Sequence, residues 1–363
     1  MGPYRRRARV FPSAAEVPIE HVRSRLRTFL PELRRRRIAV VHGPVSPEDH
    51  LNGQRFDRSE WSLTKILSTM AGLRLTAGHL DPTSDGFAAA VQAFDLVFLN
   101  VHGPYGEDGR IQGLLDYLEI PYTTSGVSAG CVGADKELTK AVCGLLSIRV
   151  PAHIPIDPAA PTGRPPPFGF PAMLKAAHGG TSVGIALVED GEVPAALVEL
   201  AGHGYDRFFL EQYLPGRAVT VGLLDLPDGT VVLPVLEAVT DRPFYDYGTK
   251  FILGEGTAVR FQLSDDLPST ATAEMNAAAS ELYAYLGCRG AARIDFVVAA
   301  ADGLPYLLEI NTIPGFHPRG NLALAARPAG LDHEDLVLAL LVEAYVRLNR
   351  APWRQRHTRP AVP

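Results

Sequence analysis

An α/β fold is predicted by three observations. Apolar strands, polar glycine loops and helices alternate from about residue 38; a proline-rich stretch, Pro151 to Pro171, interrupts the chain; and beyond it lie strands whose charged residues repeat at two-residue spacing. The alternation implies a parallel sheet with crossover helices and a site borne by loops at the strand ends. The proline-rich stretch reads as a surface connection, after which a second, mixed module begins.

The elements follow in order. Ile38-Ala39-Val40-Val41-His42-Gly43 is a β-branched run ending in glycine, the pattern of a buried strand opening an α/β unit. Ser62 to Ala71 reads as a helix, Leu96 to Asn100 as a second strand, His102 to Gly109 as a loop and Ile111 to Leu118 as a helix. A further helix runs from Ala134 to about Leu146. Beyond the connection, Ala172 to Lys175 is a strand, His178 to Gly184 a flexible loop and Phe208 to Glu211 another strand. Strands Ala218 to Leu224 and Val231 to Glu237 precede an aromatic segment, Phe244 to Phe251. Helix Ala271 to Leu286, strands Ala292 to Val298 and Tyr306 to Ile310, and helix Glu334 to Leu348 complete the chain.

At 363 residues, with 46% hydrophobic and 21% charged residues, the composition is that of a multi-domain soluble protein rather than a disordered one. No apolar span approaches the roughly 20 residues a bilayer requires, and no secretory leader pattern opens the sequence, so a cytoplasmic protein without a membrane partner is expected. Cys131, Cys143 and Cys288 have no short spacing and are expected to be buried thiols. Residues 1–37 hold 11 arginines against Glu16, Glu20 and Glu32, and Arg354, Arg356 and Arg359 lie in the last 13 residues. With a net charge of −5 overall, the body between these ends is strongly acidic, which argues against a nucleic-acid partner. The basic head reads as a solvated extension.

The chemistry concentrates on two strands. Glu309 and Asn311 are two residues apart, hence on one strand face, and Arg293 and Asp295 share a face on the preceding strand. Paired antiparallel, the strands would offer one pocket two carboxylates, an amide oxygen and a guanidinium, a donor set suited to Mg²⁺ and nucleotide phosphates. Lysine is scarce: Lys65, Lys136, Lys140, Lys175 and Lys250 are the whole set. None follows a glycine, so no P-loop exists, and no dinucleotide fingerprint occurs. Gly179-Gly180-Thr181-Ser182-Val183-Gly184, close behind Lys175, could close backbone N–H groups over phosphate oxygens or simply form a turn.

These segments together resemble the ATP-grasp superfamily and, within it, the D-alanine–D-alanine ligases. The resemblance rests on His102 to Gly109 with Ile111-Gln112-Gly113, Pro121 to Gly126, Asp135-Lys136, Lys175 with Gly180 to Gly184, Tyr245 to Lys250, Arg293-Ile294-Asp295, and Glu309 to Gly315. It spans residues 38 to 348. It implies an N-terminal α/β domain at 38–130, a central ATP-grasp subdomain at 131–216 and a C-terminal subdomain at 217–350, flanked by the extension 1–37 and a basic tail 351–363.

Residue by residue, the resemblance implies that Lys136 and Lys175 hold ATP phosphates, that Glu211 accepts from the adenine amino group and that the backbone of Gln212 and Leu214 reads the adenine edge. Asp295, Glu309 and Asn311 would bind two Mg²⁺ ions, with Mn²⁺ able to substitute. Lys250 would reach the γ-phosphate from a covering loop, Tyr245 to Phe251, while Thr181 and Ser182 of the glycine loop would belong to the catalytic set and His102 and Tyr245 would face substrate. Arg293 and the Gly315 N–H would stabilise the oxyanion formed when an amine attacks an acyl phosphate. Relatives are commonly dimers, so a homodimer is compatible with the resemblance.

The sequence departs from the family at positions that read substrate. Aligned on Ser62, Arg58 stands where a glutamate is usual, with Asp57 and Glu60 as alternatives. Thr181 and Phe251 occupy the places of a serine and a tyrosine, and Ala218 that of a ribose-binding glutamate. No serine follows Gly315 closely, leaving Arg319 as a carboxylate partner or a surface arginine. The expectation is a carboxylate–amine ligase forming a dipeptide or related amide from non-standard substrates. The alternatives are an authentic D-alanine–D-alanine ligase and a nucleotide-binding protein without ligase activity.

Overall fold

The computed structural model describes residues 10–11, 18–43, 62–157, 166–179, 184–202, 204–239 and 260–350. After β1 (Val10–Phe11) come α1 (Ile19–Arg27), α2 (Leu30–Leu33), β2 (Arg37–Val41), α3 (Ser62–Gly72), β3 (Thr76–Leu80), α4 (Phe87–Ala90) and β4 (Leu96–Leu99). β3, β2 and β4 form a parallel sheet in that order, with the apolar β2 in the centre. Three helices follow: α5 (Arg110–Tyr117), α6 (Val127–Ala134) and α7 (Lys136–Leu145). Asp135 separates the last two by capping α7, its carboxylate accepting from the Leu138 N–H at 3.0 Å.

β5 (His153–Ile156), β6 (Ala172–Ala176), β7 (Ile185–Val188), α8 (Val193–Gly202) and β8 (Phe208–Gln212) build an antiparallel sheet ordered β5-β8-β6-β7. The expected surface connection therefore carries a strand at its start, because His153–Ile156 finds a partner edge on β8. The third sheet contains β9 (Gly216–Leu226), β10 (Gly229–Val232), β11 (Leu236–Val239) and β12 (Arg260–Leu263). After α9 (Ser269–Leu286) it gains β13 (Ala291–Ala299) and β14 (Pro305–Asn311), and α10 (Asn321–Ala326) and α11 (His333–Arg350) close the fold. β9 lies between β13 on one side and β10 and β11 on the other.

The main core gathers α1, α2, β2, α3 and β4 around α11, whose residues Leu336 to Val342 are all buried. A helix that is apolar all round belongs inside. Phe98 of β4 meets Phe316, beyond β14, edge to face at 5.5 Å, which fixes the loop after Gly315 against the parallel sheet.

The reading of residues 1–37 as a solvated extension is corrected for residues 18–37. Val22, Leu26 and Leu33 sit in the main core, and the arginines between them serve the acidic body. Arg23 pairs with the buried Asp335, Arg25 with Asp228 and Arg27 with Glu334. A three-residue apolar stripe among so many arginines escaped a reading based on charge. Cys131 is exposed rather than buried, while Cys143 and Cys288 are buried and burial pushes their thiols up to about 11 and about 12. No described helix is long and apolar enough to cross a membrane.

Candidate active site

The antiparallel pairing of β13 with β14 sets Asp295 directly opposite Glu309 and Arg293 opposite Asn311. All four therefore share one face, while Ile294, Phe296, Leu307 and Ile310 enter the core beneath. The Arg293 guanidinium grips Asp295 with two bonds, of 2.9 and 3.0 Å, and the Thr220 hydroxyl of β9 donates to the same carboxylate at 2.6 Å. The Asn311 side-chain oxygen accepts from the Ile313 N–H at 2.9 Å, shaping the loop that leads to Gly315. The space a side chain would occupy at Gly315 is open, so a ligand can approach its backbone closely.

One lysine of the neighbouring module reaches this hairpin. Lys136, the first residue of α7, donates to the Gly179 carbonyl at 2.7 Å and lies 3.9 Å from the Glu309 carboxylate. Its backbone N–H also bonds to Ala177, tying the helix to the end of β6. Asp135 just before it receives Arg207 at 2.8 Å and His178 at 3.2 Å. Burial pushes the Asp135 carboxyl up, yet the Leu138 N–H and Arg207 outweigh that and hold it below the usual range.

On β6, Lys175 stands opposite Phe209, so Glu211, two residues further along β8, shares its face. The Lys175 ammonium is bound to one Glu211 oxygen, and Lys140 approaches the other at 2.5 Å. Glu211 is thus engaged by two lysines. Burial favours its neutral form, but Lys175 and Lys140 more than compensate and keep the carboxyl below its ordinary value. The Gln212 N–H bonds to Ala152 at 2.8 Å, and Leu214 lies in the turn leading to β9. Gly179 and Gly184, the two ends of the glycine loop, both lie against the Tyr205 ring, where an added side-chain carbon would come within 2.8 and 3.2 Å of it.

At the ends of the parallel strands, His102 lies 3.4 Å from Glu107 in its glycine loop. Beside it, the Asn100 amide donates to Ser62 at 2.7 Å, and the Asn100 carbonyl meets His42 at 2.8 Å. Burial draws the His42 imidazole below its ordinary value, against the Asn100 carbonyl. Arg319 borders a cavity of 220 Å³ with Lys65, His317, Pro318 and Arg327, and no carboxylate among the described residues lines it. Lys65, Lys140, Thr220 and the Asn100–Ser62 contact were not singled out from the sequence. Lys140 had a signal, since it follows Lys136 by one helical turn. Arg58, Thr181, Ser182, Tyr245, Lys250 and Phe251 lie outside the described residues, as do Asp57 and Glu60.

Two family models, described as D-ala D-ala ligase N-terminus and D-ala D-ala ligase C-terminus, match residues 37–125 and 165–342. The chain belongs to the D-alanine–D-alanine ligase family. The D-alanine–D-alanine ligase of Herminiimonas arsenicoxydans is 34% identical over 307 residues, which cover 82% of this chain and 91% of the relative. That of Bordetella avium (strain 197N) is 36% identical over 310 residues, covering 84% and 96%. As a member of this family the chain is an ATP-dependent carbon–nitrogen ligase. The ligase fold is also that of the Bacillus anthracis D-alanine–D-alanine ligase complexed with ATP, with a TM-score of 0.68 at 22% identity, covering 86% of this chain and 99% of that one. A second structure of the Bacillus anthracis ligase gives a TM-score of 0.70 at 24% identity, covering 86% and 98%.

Proposed function

We propose that the protein is a D-alanine–D-alanine ligase, joining two D-alanines at the expense of ATP. The observation that carries the chemistry is the approach of Lys136 to Glu309, which brings a phosphate-type lysine at the start of α7 to the carboxylate face of the β13–β14 hairpin. The substrate follows from relatives bearing that name at 34–36% identity along most of both chains. The non-standard substrates expected from the sequence are not carried forward. Among their grounds, Arg58, Thr181 and Phe251 fall outside the described residues, and the relatives bear the name D-alanine–D-alanine ligase.

Asp295, Glu309 and Asn311 fit a magnesium centre: two carboxylates and an amide oxygen on one strand face are hard oxygen donors, and the Asn311 oxygen keeps a lone pair beyond its bond to Ile313. When bound, the ions supply charge neutralisation at the transferring phosphoryl group. Lys136 and Lys175 hold ATP phosphates, and Gln212 and Leu214 frame the adenine. Lys250 covers the γ-phosphate. The first D-alanine carboxylate attacks that phosphorus, ADP departs and an acyl phosphate forms. The amine of the second D-alanine then attacks the acyl carbon and loses a proton as phosphate leaves. Arg293 and the Gly315 N–H face the oxyanion of this step, while Arg319, with Lys65 and Arg327, draws the carboxylate of the second D-alanine.

Incubation with ATP, Mg²⁺ and D-alanine alone, read by phosphate release and mass detection of the dipeptide, tests the proposal. D-alanyl-D-alanine with stoichiometric phosphate is expected. Turnover only with other acid–amine pairs would refute the substrate, and ATP binding without ADP formation for any pair would refute the ligase activity.

A further inference from the structure

Among the described residues, Lys140 is a buried lysine that the chemistry above does not use. It sits one helical turn beyond Lys136, and its side chain is wholly enclosed, with the Phe209 ring 5.9 Å away. It therefore cannot extend to a ligand in the way Lys136 and Lys175 can. Its ion-pair partner is Glu211, itself buried, whose other oxygen Lys175 occupies.

We propose that Lys140 is the reserve counter-ion of Glu211, a positioning residue that frees Lys175 to bind a nucleotide phosphate. Two lysines against one carboxylate leave the cluster with a net positive charge. With Lys175 alone, Glu211 would form a closed neutral pair, and transfer of that ammonium to a phosphate would strand a buried carboxylate without a counter-ion. With Lys140 in place, Glu211 stays paired whether or not Lys175 has left. The same contact holds the Glu211 carboxylate ionised and fixed as an acceptor. Burial draws the Lys140 ammonium below its ordinary value against the pull of Glu211, while the two lysines hold the Glu211 carboxyl below the ordinary carboxylate range.

The inference rests on the reading that Lys175 meets ATP phosphates, and the test separates the two. Steady-state kinetics with ATP varied would be compared for the full-length protein and for Lys175→Met, Lys140→Met, Lys140→Gln and Lys140→Arg. Lys140→Met should raise the KM for ATP about tenfold or more with kcat changed less than about threefold, the tenfold step being about 1.4 kcal/mol. Lys140→Arg should restore the KM, because a guanidinium again keeps Glu211 paired when Lys175 leaves. A folded Lys140→Met protein with an unchanged KM, or a folded Lys140→Arg protein no better than Lys140→Met, would overturn the proposal. If Lys140→Met fails to fold, Lys140→Gln decides in its place: a KM for ATP raised about tenfold supports the inference, and a KM within about threefold of the parent overturns it. An unaltered KM in Lys175→Met would instead remove the nucleotide reading beneath it.

Discussion

Arg23 on α1 and Asp335 on α11 stand 312 positions apart in sequence, yet the arginine Nε donates to both carboxylate oxygens at 3.2 and 3.0 Å. The arginine also donates to the Gly330 carbonyl at 2.7 Å. The two ends of the described chain thus close on each other over the main core. Deletion of residues 1–37 should therefore unfold or aggregate the protein, and Leu26→Ala, at a fully buried site, should cost about 2–5 kcal/mol. Urea denaturation of the point variant checks the magnitude; a truncated protein with parental activity and melting temperature would contradict the packing described.

The carboxylate face predicts a split between fold and turnover. Asp295→Asn retains a group able to accept from Thr220 but lowers the charge offered to the metal, so kcat should fall by about 10²-fold or more while the melting temperature moves little. Phosphate-release kinetics with a parallel thermal melt decides it, and activity within a few-fold of the parent would exclude a metal role for Asp295.

Asp135 predicts a pH dependence. Its folded-state pKa lies below the unfolded value, so its stabilisation is complete above the ordinary carboxylate range, near pH 4, and is lost as the pH falls through the lower folded value. Asp135→Ala removes the cap and should cost about 1 kcal/mol or more at neutral pH, with the deficit shrinking in acid. Denaturant midpoints at pH 7 and below pH 4 measure this; an equal deficit at both would dismiss the charge.

Arg319 borders a cavity lined by other cations and, among the described residues, by no carboxylate, so Arg319→Gln should weaken binding of the second D-alanine more than the first. A rise of about tenfold in the KM of the weaker D-alanine site, with kcat nearly kept, is the expected outcome. Initial rates over a wide D-alanine range resolve the two sites, and a uniform fall in kcat would place Arg319 elsewhere in the reaction.

What the sequence revealed was largely what period and composition encode. The two-residue spacing of Arg293, Asp295, Glu309 and Asn311 predicted their shared face, and the antiparallel register bears that out. Ser62–Gly72 and Ser269–Leu286 lie within one or two residues of the predicted helices. β3 escaped notice because Thr76-Ala77-Gly78-His79-Leu80 has little β-branched character and sits half exposed at a sheet edge. The Lys140–Glu211 pair was illegible for another reason. It depends on a helix docking against a sheet, a contact between residues distant in sequence that no local pattern records.

The register of β13 on β14 has an evolutionary side. Strand faces alternate residue by residue, so one inserted or deleted position in either strand would exchange the reactive row for Ile294 and Ile310 and bury the chemistry. The irregularity between Asp295 and Phe296 already takes up one such offset, on the far side of the reactive row. Point changes at the rim, around Arg319 or Lys65, alter only what is admitted. Substitution at the rim leaves the reactive row in place, whereas a length change within it turns that row into the core.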